Sequence, residues 1–231
     1  LNKAALITDL SMGDISDVVV AEEVGITNRI RVTSCEKSFL LDDQGKVHNE
    51  IRFSDKVGHM VFMGDNFPGS IRFIDRGGGW QPVSAFNAQG VRIWEHGRTG
   101  SAPNSLAGGV MGTNQQPEFV VGYNGGGGLA ILDQTGSVIR HSRGSNIWHV
   151  ELLDTNADGV PEIVHSNARG ELVVRSSTLS VLDTIRTDHF IADFTFCSWP
   201  VTNAKTSVLF RDRNAFIIMA LQGIACDYSL G

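Results

Sequence analysis

The residues with the clearest chemical meaning are those of Asp154-Thr155-Asn156-Ala157-Asp158-Gly159-Val160-Pro161-Glu162. Oxygen-bearing side chains at alternate positions, followed by glycine, let a short loop wrap a hard cation. Asp154, Asn156 and Asp158 would converge, the carbonyl of Val160 would turn inward and Glu162 would close the cage, so the expected occupant is Ca2+. An EF-hand ends its loop with a glutamate at the twelfth position, whereas Glu162 is the ninth residue from Asp154 and an apolar Ile163-Val164 pair follows it. The loop therefore joins two strands, and a metal there would hold a corner rather than act on a substrate. The same oxygens can also cap the loop's own amides without metal, with Gly159 making the bend.

Histidine recurs in three similar settings: Gly58-His59-Met60-Val61, Trp148-His149-Val150 and Asp188-His189-Phe190. If the fold brings His59, His149 and His189 to one rim, their imidazoles can hold a metal, donate to an anionic or sugar ligand, or exchange protons. The plainer reading is that each ring hydrogen-bonds a neighbour and locks the start of a strand. Trp80, beside Gly77-Gly78-Gly79, and Trp199, beside Pro200, are the aromatic candidates for stacking on a sugar or anchoring a protein; Trp94 and Trp148 lie in apolar strands and read as packing. An enzymatic alternative pairs His149 or His189 with Asp188 or Asp193, the acid and base that a carbohydrate hydrolase or lyase needs. No Gly-x-Ser-x-Gly elbow and no His-Glu-x-x-His run is present, and the glycine runs at 77–79 and 125–128 lack the Lys and Ser/Thr of a phosphate loop.

The elements that must position these groups follow from a repeat. Five polar turns, each closing an apolar strand, end at Gly45, Gly90, Gly136, Leu179 and Gly223, which are 45, 46, 43 and 44 residues apart. Glycine suits such a corner because it accepts a positive φ, so Leu179 is expected to need a different turn. Around the corners lie short strands: Asp-Val-Val-Val at 17–20, Val-Arg-Ile-Trp at 91–94, Glu-Phe-Val-Val at 118–121, Glu-Ile-Val at 162–164 and Glu-Leu-Val-Val at 171–174. A period near 40 to 45 residues with four strands per unit predicts an all-β fold, a five-bladed β-propeller with four antiparallel strands per blade. Residues 1–231 read as a single propeller domain with blades near 1–57, 58–103, 104–144, 145–187 and 188–231. The longest first unit leaves room for a protruding hairpin near Glu22–Lys37, and Ile224–Tyr228 reads as an outer strand.

Composition narrows the function. With 42% hydrophobic residues, 19% charged residues and 26 glycines in 231, the chain is that of a turn-rich globular protein. A net charge of −6 offers no electrostatic footprint for nucleic acid, and no apolar run is long enough for membrane insertion as a helix. Cys35, Cys197 and Cys226 fit no zinc pattern; all three read as buried thiols, or Cys197 and Cys226 pair if adjacent strands carry both.

The acidic loop, together with the repeat length, resembles the integrin-type FG-GAP repeats and their VCBS-like relatives, whose blades carry Asp-x-Asn-x-Asp-Gly loops. The fourth unit matches at Asp154, Asn156, Asp158, Gly159 and Glu162; the first offers only Asp9, Ser11, Gly13, Asp14 and Asp17, with the Asp-Gly order reversed. The resemblance implies an adhesive, ligand-binding or scaffold propeller at the cell surface or outside the cell. The expected function is therefore non-enzymatic binding of a protein or glycan by a rim carrying His59, His149, His189, Trp80 and Trp199, with Ca2+ as a structural cofactor. The alternatives are the carbohydrate-active enzyme and a purely structural fragment that contacts the rest of a larger parent protein.

Overall fold

The computed structural model describes residues 15–23, 26–64, 67–77, 79–97, 100–112, 115–197, 207–212 and 215–220. They form five antiparallel sheets in which strands pair in chain order. The first contains β1 (Ile15–Glu23), β2 (Ile26–Ser34), β3 (Lys37–Leu41) and β4 (Val47–Arg52), and the second β5 (Met60–Phe62), β6 (Ile71–Asp75), β7 (Val83–Asn87) and β8 (Arg92–His96). The third contains β9 (Pro103–Val110), β10 (Pro117–Tyr123), β11 (Gly128–Leu132) and β12 (Val138–Ser142), and the fourth β13 (Ile147–Leu153), β14 (Glu162–Asn167), β15 (Glu171–Arg175) and β16 (Val181–Arg186). The fifth has three strands among the described residues: β17 (Phe194–Cys197), β18 (Ser207–Asp212) and β19 (Ala215–Ala220). The fold class is all-β, a five-bladed β-propeller whose unit is the four-stranded antiparallel blade. The long first unit is spent on the nine-residue strands β1 and β2, paired from Ile15 with Ser34 to Glu23 with Ile26.

Burial explains why these segments are strands. Every residue of β10 and β11 is buried, because a middle strand packs on both faces and so reads as a continuous apolar run. The last strand of a blade instead reaches solvent, as the exposed positions of β4, β8, β12 and β16 show.

The turn between third and fourth strands is the same in four blades. The amides of Gly45, Gly90, Gly136 and Leu179 donate to the carbonyls of Asp42, Asn87, Asp133 and Ser176, at 2.9 to 3.0 Å. Side-chain oxygens of those same four residues accept from the amides two positions on, those of Gln44, Gln89, Thr135 and Thr178. Leu179 corrects the expectation of a different turn: it takes the glycine conformation at φ 67°, close to the 76° of Gly90. A Cβ on Gly90 would collide with the backbone carbonyl of Arg52, so that corner admits only glycine. The Leu179 side chain is instead buried against Met111, Leu129 and Ile163, and that burial offsets a left-handed strain of about 1–2 kcal/mol.

The chain divides into two compact units, 1–97 and 98–231. In the first, Ile51, Met60, Phe73 and Phe86 form the core between the first two sheets, with Phe53 edge-on to Phe73 at 5.2 Å. In the second, one core joins the third and fourth sheets through Val120, Leu129, Ile147, Val150 and Ile163, and another joins the fourth and fifth through Leu153, Val164, Leu172, Phe194 and Phe210. Trp199, Gly223, Cys226, the Ile224–Tyr228 strand and Asp9–Asp14 lie outside the described residues. Cys35 is a free thiol. Among the described residues, no helix is long and apolar enough to cross a membrane.

Candidate functional site

The site is built on β13, where alternation puts Val150 and Leu152 into the core shared with the third sheet and leaves His149 and Glu151 on the other side. His149 is 24% exposed and held at both ring nitrogens: Nδ1 lies 3.0 Å from Oδ1 of Asp193, and Nε2 lies 3.4 Å from Oε1 of Glu151. Its ring packs edge-on to Phe194 with centroids 4.8 Å apart. Burial works against a charge here, but the bonds and charges of Asp193 and then Glu151 outweigh it and push the His149 pKa up to about 9. At neutral pH the ring is an imidazolium clamped between two carboxylates.

These groups line an open cleft of about 380 Å³, walled by Phe194, Thr195, Leu209 and Phe210. Among the described residues, two carboxylates against one imidazolium leave its lining with a single net negative charge. Phe194 and Phe210 are only 3% and 1% exposed, so neither presents a ring face on which a sugar could stack.

Two catalytic arrangements can be tested on this geometry. Ser105 Oγ lies 3.4 Å from His149 Nδ1, which suggests a Ser-His-Asp relay. That relay needs serine and aspartate on opposite ring nitrogens, whereas here both face Nδ1, and buried Ser105 accepts a 3.0 Å bond from the Val150 amide. A glycosidase needs two carboxyls flanking a scissile bond. The His149 ring occupies the space between Glu151 and Asp193.

Of the other sequence candidates, His189 meets Phe210 in a tilted contact with centroids 5.7 Å apart, so it abuts the aromatic wall of the same cleft. It lies between β16 and β17, and His149 is the third residue of β13, so neither stands at the very start of a strand as expected. His59 does immediately precede β5, in the 1–97 unit, and there the backbone does the locking: the amides of Gly58 and His59 donate to the Asp75 carboxylate at 3.1 and 2.8 Å. Burial and nearby Arg76 lower the His59 pKa, with Asp75 opposing. Trp80 is 72% exposed, as its glycine-rich setting predicts. Trp148 is half-buried and edge-on to Phe190 at 5.2 Å.

The Asp154–Glu162 loop directs its oxygens to its own donors. Asp154 accepts from the amides of Asp158 at 3.2 Å and Gly159 at 2.8 Å, Asn156 from that of Asp158 at 2.9 Å, and Asp158 from that of Val160 at 2.8 Å. Glu162 accepts from the amide and hydroxyl of Thr155 at 2.8 and 2.6 Å and from the Asn156 side-chain amide at 3.2 Å. Ala157 and Gly159 take positive φ of 62° and 84° to make this possible. Glu162 is 6% exposed and faces Thr155 and Asn156, not Asp154 and Asp158. Among the described residues, no group of three or more His, Cys, Asp and Glu side chains stands in a metal-holding arrangement.

Sequence reasoning missed Glu151, although its place two residues after His149 on one strand puts both on the same face. Phe194, Leu209 and Phe210 carry no comparable signal, since they reach the cleft from another sheet.

No family model matches the sequence, and no curated protein matches it. Solved structures do match. BBS1N in complex with ARL6DN aligns at TM-score 0.68 with 12% identity, over 92% of this chain and 68% of that one. A protein of unknown function from Bacteroides caccae aligns at TM-score 0.53 with 9% identity, over 86% and 70%. The Pan2 WD40 domain of Neurospora crassa aligns at TM-score 0.52 with 13% identity, over 86% and 63%. The chain thus spans about two thirds of the length of these structures. At such identities the likeness establishes the fold, and this chain shares it with the propeller domains.

Proposed function

We propose that this chain is a protein-recognition propeller, and that the cleft beside His149 accepts a basic side chain of a partner protein. The reading rests on one observation, the His149 ring held between the carboxylates of Asp193 at 3.0 Å and Glu151 at 3.4 Å. A base poised for proton transfer titrates near the working pH, whereas this ring stays protonated and fixes two carboxylates in place. Asp193 is 69% exposed, so a lysine or arginine head can reach its carboxylate from solvent, and the aliphatic stem of that residue would lie along Leu209. A protein is favoured over a glycan because the rings of the cleft are edge-packed and covered. The matched structure of BBS1N was solved in complex with ARL6DN, which supports the same use of the fold.

The test is titration of the chain with N-acetyl-lysinamide, N-acetyl-argininamide and a panel of neutral sugars, read by the His149 imidazole resonances. Saturable shifts with the basic amides, lost in Asp193→Asn, are expected. Shifts with sugars alone would move the assignment to glycan binding, and turnover of a glycoside panel that Asp193→Asn abolishes would move it to an enzyme. Within this reading the spacing of oxygens in the Asp154–Glu162 loop supports a kinship with FG-GAP-like repeats, and Ca2+ on Asp154, Asn156, Asp158, Glu162 and the Val160 carbonyl would tighten a blade corner. That part requires the loop to exchange its amide bonds for metal bonds, and a higher Tm with calcium than with chelator, abolished by Asp158→Asn, is the expected result.

A further inference from the structure

A second cleft, of about 260 Å³, lies on the side of the fourth sheet that faces the third, lined by residues of β11, β12, β14, β15 and β16. His165 and Arg175 project into it from adjacent strands. His165 pairs with Val173, so Arg175, two residues further on, falls on the same face. Arg175 donates from Nε to Nε2 of His165 at 3.0 Å and from Nη1 to the carbonyl of Leu179 at 2.8 Å. Both acceptors are neutral, since burial first and Arg175 second lower the His165 pKa to about 4. The histidine thus fixes the plane of the guanidinium without neutralising it.

Other arginines of this unit are treated differently. Arg140 has Glu118 at 3.3 Å and Arg186 has Glu171 at 3.3 Å. Arg175 is half-buried with no carboxylate within ion-pair distance among the described residues, and its Nη2 has no protein partner there. Uncompensated charge away from water is costly and calls for a counter-ion. Arg143 and Arg169 line the same cleft, exposed and without an ion pair among the described residues, although Arg169 acts on Glu171 at longer range. Glu171, the one acid among the described lining residues, is engaged by Asn167 at 2.8 Å and by Arg186. Three guanidiniums against one committed carboxylate make a positive pocket in a chain whose net charge is −6.

We propose that this pocket binds a phosphate-sized oxyanion, with Arg175 as the pre-oriented fork and Arg143 and Arg169 closing over it. Guanidiniums are the donors suited to two-point recognition of such a group, and the volume accommodates a phosphomonoester with a small organic substituent. Nothing in this site depends on the His149 cleft, and the two are tested separately.

The experiment titrates the whole chain with inorganic phosphate and with O-phosphoserine at constant ionic strength, chloride serving as the reference, followed by calorimetry and by the Arg side-chain resonances. Saturable phosphate binding is expected, weakened about tenfold or more in the double variant Arg143→Gln, Arg169→Gln and by a similar factor in Arg175→Lys, which keeps charge and loses the fork. The exposed double variant preserves the test if changes at Arg175 disturb folding. Tighter binding of O-phosphoserine supports an anion delivered on an organic ester, and equal or weaker binding supports the free ion. Phosphate binding no stronger than that of chloride, or unchanged in the double variant, overturns the proposal.

Discussion

His149 and His165 sit on neighbouring strands of one sheet, with Val150 the register partner of His165, yet they are driven to opposite charge states. His149 lies between two acids and is held protonated, with a pKa near 9, while His165 is 1% exposed beside an arginine and is held neutral, with a pKa near 4. Burial opposes the charge at both. What separates them is the sign of the neighbour: Asp193 and Glu151 outweigh burial at the first, and Arg175 adds to it at the second. The same side chain is therefore the cation held between two carboxylates in one cleft and a neutral brace for a cation in the other.

The largest consequence is a stability curve with two limbs. A raised histidine pKa contributes stability that is complete below pH 6.5 and lost as pH rises through about 9, which is the case of His149. A depressed one leaves stability intact above pH 6.5 and lost as pH falls through about 4, which is the case of His165. Each limb is worth up to roughly 3 kcal/mol, the first being reduced by solvent screening at the exposed Asp193. Urea midpoints across this range are expected to peak near pH 6.5. His149→Gln flattens the alkaline limb and His165→Gln the part of the acid limb it owns; an alkaline limb unchanged in His149→Gln would break the comparison.

Comparable in size to either limb is the effect at Leu179, whose carbonyl holds Arg175. Leu179→Ala loses the buried side chain and keeps the left-handed strain, at a cost of about 2–4 kcal/mol. Leu179→Gly loses the same contacts and relieves the strain, so it should unfold about 1 kcal/mol later than the alanine variant, a reversal of the usual order. Equal midpoints for the two would mean that the turn rearranges.

Two smaller effects sharpen the electrostatic contrast. Asp193→Asn and Glu151→Gln each lower the His149 pKa, Asp193→Asn more, since its bond is the stronger support. Arg175→Met raises the His165 pKa yet leaves it below 6.5, because burial is the larger cause. Histidine resonances followed against pH read both, and a fall at His165 would contradict the assignment.

The blade count was legible because the turns at Asp42–Gly45, Asn87–Gly90 and Asp133–Gly136 announce themselves through an Asx residue and a glycine. Leu179 escaped that rule because its tolerance of positive φ comes from burial in a core assembled from two sheets. The bends at Gly159 and around Trp80 were equally readable, being local. His149 was identified as a candidate and Asp193 as its acid in the enzymatic alternative, but not their joint partner Glu151 or the covered aromatic wall. The arginine pocket left no mark in the sequence, since Arg143, Arg169 and Arg175 belong to no motif and meet only when two sheets pack.

By itself the sequence determined the period, the antiparallel strands and the polar corners, because hydrophobic alternation and turn chemistry act over a few neighbouring residues. Which histidine carries a proton, and which arginines stand without an ion pair among the described residues, was set by the packing of the sheets. Those properties depend on burial and on charges brought within a few ångströms by different sheets, and no local pattern encodes them.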